Sequence, residues 1–233
     1  MKTNNVWAVI PAYNEEKNIS GIIRKTKSYV ENVVVVDDGS SDGTKNAAES
    51  SGAFVIGHIV NLGKGAALKT GCDFAAKKGA KFIIALDADA QHNPANIPRF
   101  IEKLGKYDVV FSYRRLSGKM PIVLRFGNWF ISKTVKILYG ISLVDTQCGF
   151  RAFSSKAYKK IRWNASDYSM ESEMISRTGK QRLKYVQIPI ETIYSDKYKG
   201  TTIIDGIKIV LSMFWWKIGN ENFFSRKVKF FSR

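Results

Sequence analysis

Short apolar runs punctuate the first half of the chain, each followed by a polar turn and then by an amphipathic stretch. The runs are residues 6–10, 33–36, 54–56, 82–86 and 108–112. Uninterrupted runs of this length suit strands buried on both faces, as in a parallel sheet. Between them, Ile19, Ile22, Ile23 and Tyr29 fall broadly on one helical face. A second helix is predicted to open at Asn61-Leu62-Gly63-Lys64-Gly65 and to run through Ala66, Ala67, Leu68 and Ala75. Asn93-Pro94 reads as a helix start, with asparagine as the cap and proline at the first helical position. Gly39 and Gly43 permit tight turning after the second run, and Ser40, Ser41 and Asp42 can cap the helix that follows. Strand and helix alternating at this spacing predict right-handed parallel crossovers and a doubly wound α/β sheet flanked by helices.

The texture changes after residue 115. In residues 120–144, Val123, Phe126, Phe130, Ile137 and Leu138 lie near one helical face, and Arg125, Ser132 and Lys136 on another. Residues 207–217 contain Ile209, Val210, Leu211, Met213, Phe214, Trp215 and Trp216. Basic, aromatic-rich amphipathic helices of this kind either lie in a membrane interface or pack on the sheet. The expected organisation is a catalytic domain over 1–199, then an amphipathic helix and basic tail over 200–233.

Charge adds a constraint: 37 Lys and Arg against 20 Asp and Glu give a net +17 over 233 residues. Such a surface attracts a polyanion, either nucleic acid or an anionic membrane face. Cys72 and Cys148 are too far apart and too few for a disulfide framework or a zinc cluster, and two histidines, His58 and His92, argue against a histidine metal site. The amino terminus lacks the apolar segment of a signal peptide, and there is no 18-residue uncharged apolar stretch. A cytoplasmic protein without a transmembrane span is expected, held peripherally at a membrane face.

The candidate chemistry sits at the carboxyl ends of the apolar runs, the edge where open α/β sheets bind ligands. Pro11 to Glu15, Asp37 with Asp38, and Asp87-Ala88-Asp89-Ala90-Gln91 would all lie on that edge. Alternate residues of an extended segment point the same way, so Asp87 and Asp89 could converge on a hard cation with Gln91 as a further oxygen ligand. A ribonucleoside diphosphate needs this equipment. Tyr13 would pack on the base, Asp38 would accept from a base imide or ribose hydroxyl, and Asp89 with a cation would neutralise the diphosphate. Ordinary packing for Tyr13 and helix capping for Asp37 and Asp38 are the competing readings. Residues 61–65 resemble a phosphate-cradling loop, and Lys64 there is either a sugar or diphosphate contact or a solvated lysine. Neither GxxxxGK[ST] nor a GxGxxG after the first strand is present, which disfavours a P-loop NTPase and a dinucleotide fold.

Together with Asp145-Thr146-Gln147-Cys148-Gly149-Phe150-Arg151, these motifs resemble the family 2 glycosyltransferases of the GT-A fold, and among them the dolichyl-phosphate hexose synthases. The resemblance spans roughly residues 6–217. It implies transfer of a hexose from a UDP- or GDP-linked sugar to a polyprenyl or dolichyl phosphate, with inversion and with Mg²⁺ or Mn²⁺. By the same resemblance, Pro11, Tyr13, Glu15 and Asp38 take the nucleoside, and Asp87, Ala88, Asp89 and Gln91 form the metal and diphosphate motif. Arg114 faces donor phosphate or acceptor, and Arg125 binds acceptor phosphate. Lys199 stands where relatives often carry an arginine for that task, a weaker bidentate group. Glu171-Ser172-Glu173-Met174 stands where glucose-type relatives show a Phe-Asp-x-Glu-like segment, with Glu173 at the second acidic position. The Asp145 to Phe150 motif leans towards UDP-glucose or UDP-N-acetylglucosamine over GDP-mannose.

The implied reaction is direct displacement at the anomeric carbon, with Asp89 and its metal stabilising the leaving diphosphate. A phosphate monoester has a second pKa of about 6, so it is largely ionised at neutral pH and has less need of a general base. Arg114, Arg125 and Arg151 would hold it, and Asp145 either orients a substrate or serves as a turn residue. The alternative is a soluble transferase acting on a glycan hydroxyl, for which Asp145 or Glu171 would be essential as base. A nucleic-acid-binding module is disfavoured, because acidic strand ends would repel a phosphate backbone.

Overall fold

The computed structural model describes residues 5–114, 122–191 and 203–218. Strands β1 (Val6–Ala12), β2 (Asn32–Asp37), β3 (Phe54–Gly57), β4 (Phe82–Ala85), β5 (Val109–Arg114), β6 (Arg151–Ser154) and β7 (Tyr185–Ile190) form one sheet in the order β3-β2-β1-β4-β6-β5-β7. Helices α1 (Glu16–Lys27), α2 (Thr44–Ser50), α3 (Lys64–Lys77), α4 (Ile97–Leu104), α5 (Ile122–Tyr139), α6 (Ser155–Ile161), α7 (Met170–Lys180) and α8 (Ile203–Ile218) cover it. The expected sheet with helices on both faces is observed.

The apolar runs of β1, β2 and β4 bury both of their faces, while β3 at the sheet edge is half-buried. Val9, Val34 and Ile83 join Leu68 of α3, Val135 of α5 and Met174 of α7 in one core. Their neighbours Ile10, Val35 and Ile84 join Ile19 of α1, Ala48 of α2 and Phe100 of α4 in the other. The Asn93 side chain accepts from Ala95 N at 3.0 Å, but the element it opens is a single 3₁₀ turn, Pro94–Asn96, leading into α4.

The sheet is not wholly parallel. Strand β6 runs antiparallel between β4 and β5, with Arg151 opposite Ala85. A four-residue strand beginning with arginine carries no recognisable run. Its direction matters for the site, because residues 145–150 reach the sheet at the same edge as the end of β4. Strand β7 closes the sheet beside β5, and Pro189 is tolerated there because the strand lies at the edge.

Helices α5 and α8 pack on the core, one of the two outcomes expected for them, and keep an exposed face. Their inner faces pack: Val135 and Met213 are fully buried, and Tyr139 Oη donates to Met213 O at 2.6 Å. Their outer faces leave Trp129, Phe130 and Ile137 on α5, and Leu211, Phe214 and Trp215 on α8, exposed. Trp216 instead packs partly buried against the core. Among the described residues no helix is long and apolar enough to cross a membrane.

Candidate active site

The loops after β1 and β2 are laced together. Asn14 adopts a left-handed backbone (φ 54°), donates its N–H to Ser40 Oγ at 2.9 Å and accepts from Ser41 N at 2.9 Å. Asp42, rather than either serine, bonds the start of α2, accepting from Thr44 N at 3.0 Å. Asp38 is buried, and its carboxylate accepts from Leu62 N at 3.0 Å and Gly63 N at 2.8 Å. His58 Nδ1 lies 2.6 Å from the same carboxylate, while its Nε2 lies 3.0 Å from Thr70 Oγ1. Asp38 thus fixes the 58–63 loop from within. His58 was legible only as a lone histidine, because its partners are 20 and 12 residues away.

Two amides of the first turn of α3 are taken up inside the protein. Gly65 N and Ala66 N donate to Ser166 O at 2.7 and 3.2 Å, and Trp163 Nε1 donates to Gly65 O at 2.8 Å. A Cβ on Gly65 would fall 2.6 Å from Ala165 O, so glycine permits this close seam. The resemblance of residues 61–65 to a phosphate loop therefore does not extend to these amides. They are spent within the protein.

Lys64 instead reaches inward. Its Nζ lies 2.8 Å from Asp87 Oδ1 and 3.1 Å from Glu171 Oε1. Burial alone would lower the lysine, but the two carboxylates outweigh it and raise it above its ordinary value. Burial pushes Asp87 up, yet Lys64 first, together with His92 and Arg151, outweighs burial and holds that carboxyl below its ordinary value. Asp89 goes the other way. Burial, then the charge of Asp87, push it up to about 6, against a hydrogen bond of 3.0 Å from Gln91 N. The two carboxylates of the motif are therefore unequal: one is neutralised by the protein and the other is not. Gly149 lies against Asp87, and a Cβ there would collide with the Asp87 carboxylate.

On the far side, Arg114 Nε donates to Asp145 Oδ2 at 2.7 Å and Nη2 to Asp145 Oδ1 at 3.2 Å. Asp145 also accepts from Gln147 N at 3.0 Å. Asp145, anticipated as a catalytic group, is placed as the residue that orients Arg114. Arg151 is not exposed to any acceptor. It is 2% exposed, and its guanidinium donates to the carbonyls of Cys148 (2.8 Å), Thr146 (2.6 Å) and Glu171 (2.8 Å). Its assignment to acceptor phosphate is corrected accordingly: it clamps the loop before β6 to the start of α7. The backbone of Arg125 lies on α5, but its side chain and all of Lys199 lie outside the described residues.

These groups surround one cavity of about 560 Å³. Pro11, Tyr13, Glu15, Asp38, Lys64, Asp87, Ala88, Asp89, Gln91 and Arg114 all line it. His92, Gln147, Cys148, Gly149, Asp167, Tyr168 and Glu171, none of them anticipated as donor contacts, line it too. Residues 7–162, which carry most of that lining, match Glycosyl transferase family 2. The chain belongs to this family.

The relatives of this transferase include an uncharacterised protein of Methanocaldococcus jannaschii, 36% identical over 92% of this chain and 93% of that one. A UDP-N-acetylglucosamine–dolichyl-phosphate N-acetylglucosaminyltransferase of Methanococcus voltae is 31% identical over 92% of this chain and 96% of its own. An undecaprenyl-phosphate mannosyltransferase of Micrococcus luteus is 30% identical over 79% and 82%. Among solved structures, glucosyl-3-phosphoglycerate synthase from Mycobacterium tuberculosis, in complex with Mn²⁺, UDP-glucose and phosphoglyceric acid, superposes with a TM-score of 0.72. It is 23% identical and covers 90% of this chain and 79% of that one. That likeness shows a shared GT-A fold.

The donor set of the transferase suits a divalent cation bound together with a ligand. Asp89 has no lysine or arginine within ion-pair distance among the described residues, and its raised carboxyl marks an uncompensated charge. Asp89 and Gln91 offer hard oxygen donors, as Mg²⁺ or Mn²⁺ requires. Among the described residues no three His, Cys, Asp or Glu side chains converge into a metal cage. Asp87, expected as a third ligand, has one oxygen committed to Lys64.

Proposed function

We propose that this family 2 transferase moves a hexose from a nucleoside diphosphate sugar to a polyprenyl phosphate at a membrane surface. The donor half rests on one observation above all: three separate strand ends deliver Asp38, Pro11 to Glu15 and Asp87 to Gln91 into a single cavity. The sheet order runs Asp38, then Pro11 to Glu15, then Asp87 to Gln91, so the nucleoside lies over β2 and β1 and the diphosphate over the end of β4. UDP-glucose and UDP-N-acetylglucosamine are the favoured donors, with GDP-mannose the remaining candidate.

Asp89 and Gln91 would hold Mg²⁺ or Mn²⁺, which would neutralise the charge that develops on the departing diphosphate. Lys64 keeps Asp87 ionised yet compensated, which holds the motif open for Asp89 to act alone. Arg114, oriented by the Asp145 carboxylate, presents a planar cation to a phosphate at the cavity wall. An acceptor phosphate that is already largely dianionic attacks without surrendering a proton.

Support for the lipid acceptor comes from the exposed aromatic faces of α5 and α8, from the net charge of +17, and from the polyprenyl-phosphate acceptors named for two relatives. A second reading, transfer to a hydroxyl of a soluble acceptor, is favoured by Glu171. Its Oε2 is buried without a hydrogen-bond partner in the cavity wall, a placement open to a general base. The shared fold with a phosphoglycerate-binding enzyme shows that the architecture does not dictate a lipid acceptor. Glu171→Gln separates the two. With a phosphate acceptor, transfer persists within about tenfold; with a hydroxyl acceptor, it falls by 10²-fold or more, roughly the contribution of a general base.

A further inference from the structure

The cavity contains two half-exposed tyrosines, and the function proposed above uses only one. Tyr13 stands at the nucleoside end, 47% exposed. Tyr168, 44% exposed, stands where α3 meets α7. Its frame is rigid. Trp163 and Ser166 are bonded to the first turn of α3, and Glu173 accepts from Asn164 N at 3.0 Å and Ala165 N at 2.9 Å. Asp167 accepts from Ser169 N at 2.9 Å, fixing the turn on which Tyr168 sits. A half-exposed aromatic residue that lines the cavity on a turn braced in this way is not a core residue. The ordering cost of a binding surface is already met by the fold.

The ring also has a specific neighbour. Lys64 Nζ lies over it, 5.6 Å from the centroid, and the same ammonium bonds Asp87 and Glu171. An apolar ring beside a tight cluster of hydrogen-bonding charges matches a pyranose, which has hydroxyl edges and a C–H face. The geometry points to Tyr168 as a platform for the transferred hexose and a determinant of donor specificity. This rests on the nucleotide-sugar reading. It places the sugar beyond the diphosphate, against the seam of α3 and α7, with the base at Tyr13.

Binding distinguishes this role from others. Calorimetric titrations with UDP against UDP-glucose, UDP against UDP-N-acetylglucosamine, and GDP against GDP-mannose, all in Mn²⁺, isolate the contribution of the sugar. For the pair that binds, Tyr168→Ala is expected to weaken the nucleotide sugar about 3- to 10-fold, the worth of a good aromatic contact. The bare nucleoside diphosphate should stay within twofold of the parent, and Tyr168→Phe should bind the sugar nucleotide like the parent. Equal weakening of both ligands, no weakening of either, or a change confined to the KM of the acceptor would overturn the assignment while leaving the nucleotide site in place. Failure of the parent to bind any of the nucleotides would overturn the nucleotide-sugar reading itself, and this inference with it.

Discussion

Lys64→Met removes the cation that lies within ion-pair distance of both Asp87 and Glu171. The side chains of Lys64 and Asp87 keep a fifth of their surface, while Glu171 keeps 2%. Stranding a buried charge costs about 3–5 kcal/mol. Partial water access to Asp87 puts the expected loss at neutral pH near the lower end, about 3 kcal/mol. The pH dependence fixes the cause. In the parent, Asp87 is held below its ordinary value, so it stabilises the fold above its unfolded pKa and that contribution disappears as pH falls through the folded one. In the variant the largest of the charges opposing burial is gone, and the folded pKa of Asp87 is expected to rise above its unfolded value of about 3.9. The penalty is then absent below about pH 4 and grows as pH rises through the raised value. Urea unfolding at pH 4, 5, 6 and 7 should show a small gap between parent and variant in acid and the full gap at pH 7, with unchanged m. Adding Glu171→Gln should restore part of the loss at pH 7. A gap independent of pH, or one under about 1 kcal/mol at pH 7, would refute the claim that Lys64 is there to neutralise buried carboxylates.

Asp89 gives the opposite sign. Its carboxyl is raised to about 6, so it stabilises the metal-free fold below its unfolded pKa and that stability is lost as pH rises towards 7. Asp89→Asn should therefore raise Tm at pH 7 in EDTA, have little effect at pH 4, and reduce transfer about 10²-fold or more in a Mn²⁺ assay. Gly149→Ala forces a Cβ into the Asp87 carboxylate, and should cost about 1–3 kcal/mol in a denaturant titration and lower kcat for transfer. His58→Ala takes a partner from Asp38 and loosens the 58–63 loop; UDP titrations should show about 5- to 10-fold weaker binding, the worth of one ordinary hydrogen bond. Trp129→Ser combined with Trp215→Ser should reduce flotation with phosphatidylserine vesicles, while Trp216→Ser, which touches the core, should lower Tm instead.

What the sequence disclosed and what it hid follow from the range of the contacts involved. Strands β1 to β5 were legible because each is a local apolar run, four of them largely buried on two faces and β3 half-buried at the edge of the sheet. Their polar ends were legible because a parallel sheet aligns them on one edge. Strand β6 was not, being four residues opened by an arginine, and neither was β7, whose Pro189 argues against a central strand. Arg151 was misread for a related reason. A basic residue in a motif looks like a phosphate ligand until its three carbonyl partners, at separations of 3, 5 and 20 residues, are assembled around it. The inequality of Asp87 and Asp89 was likewise hidden, since it depends on Lys64 and Glu171, which belong to helices α3 and α7. Tyr168 carried no signal at all; only the seam between those helices puts it into the cavity.

Transfer itself tests the central claim most directly. The purified chain is incubated with a polyprenyl phosphate in detergent, Mg²⁺ or Mn²⁺, and radiolabelled UDP-glucose, UDP-N-acetylglucosamine or GDP-mannose in parallel, and label is then measured in the organic phase. The account predicts lipid-linked label from one donor, lost in EDTA and in Asp89→Asn. Absence of lipid-linked label from every donor, with label appearing instead on a soluble hydroxyl acceptor, would contradict it.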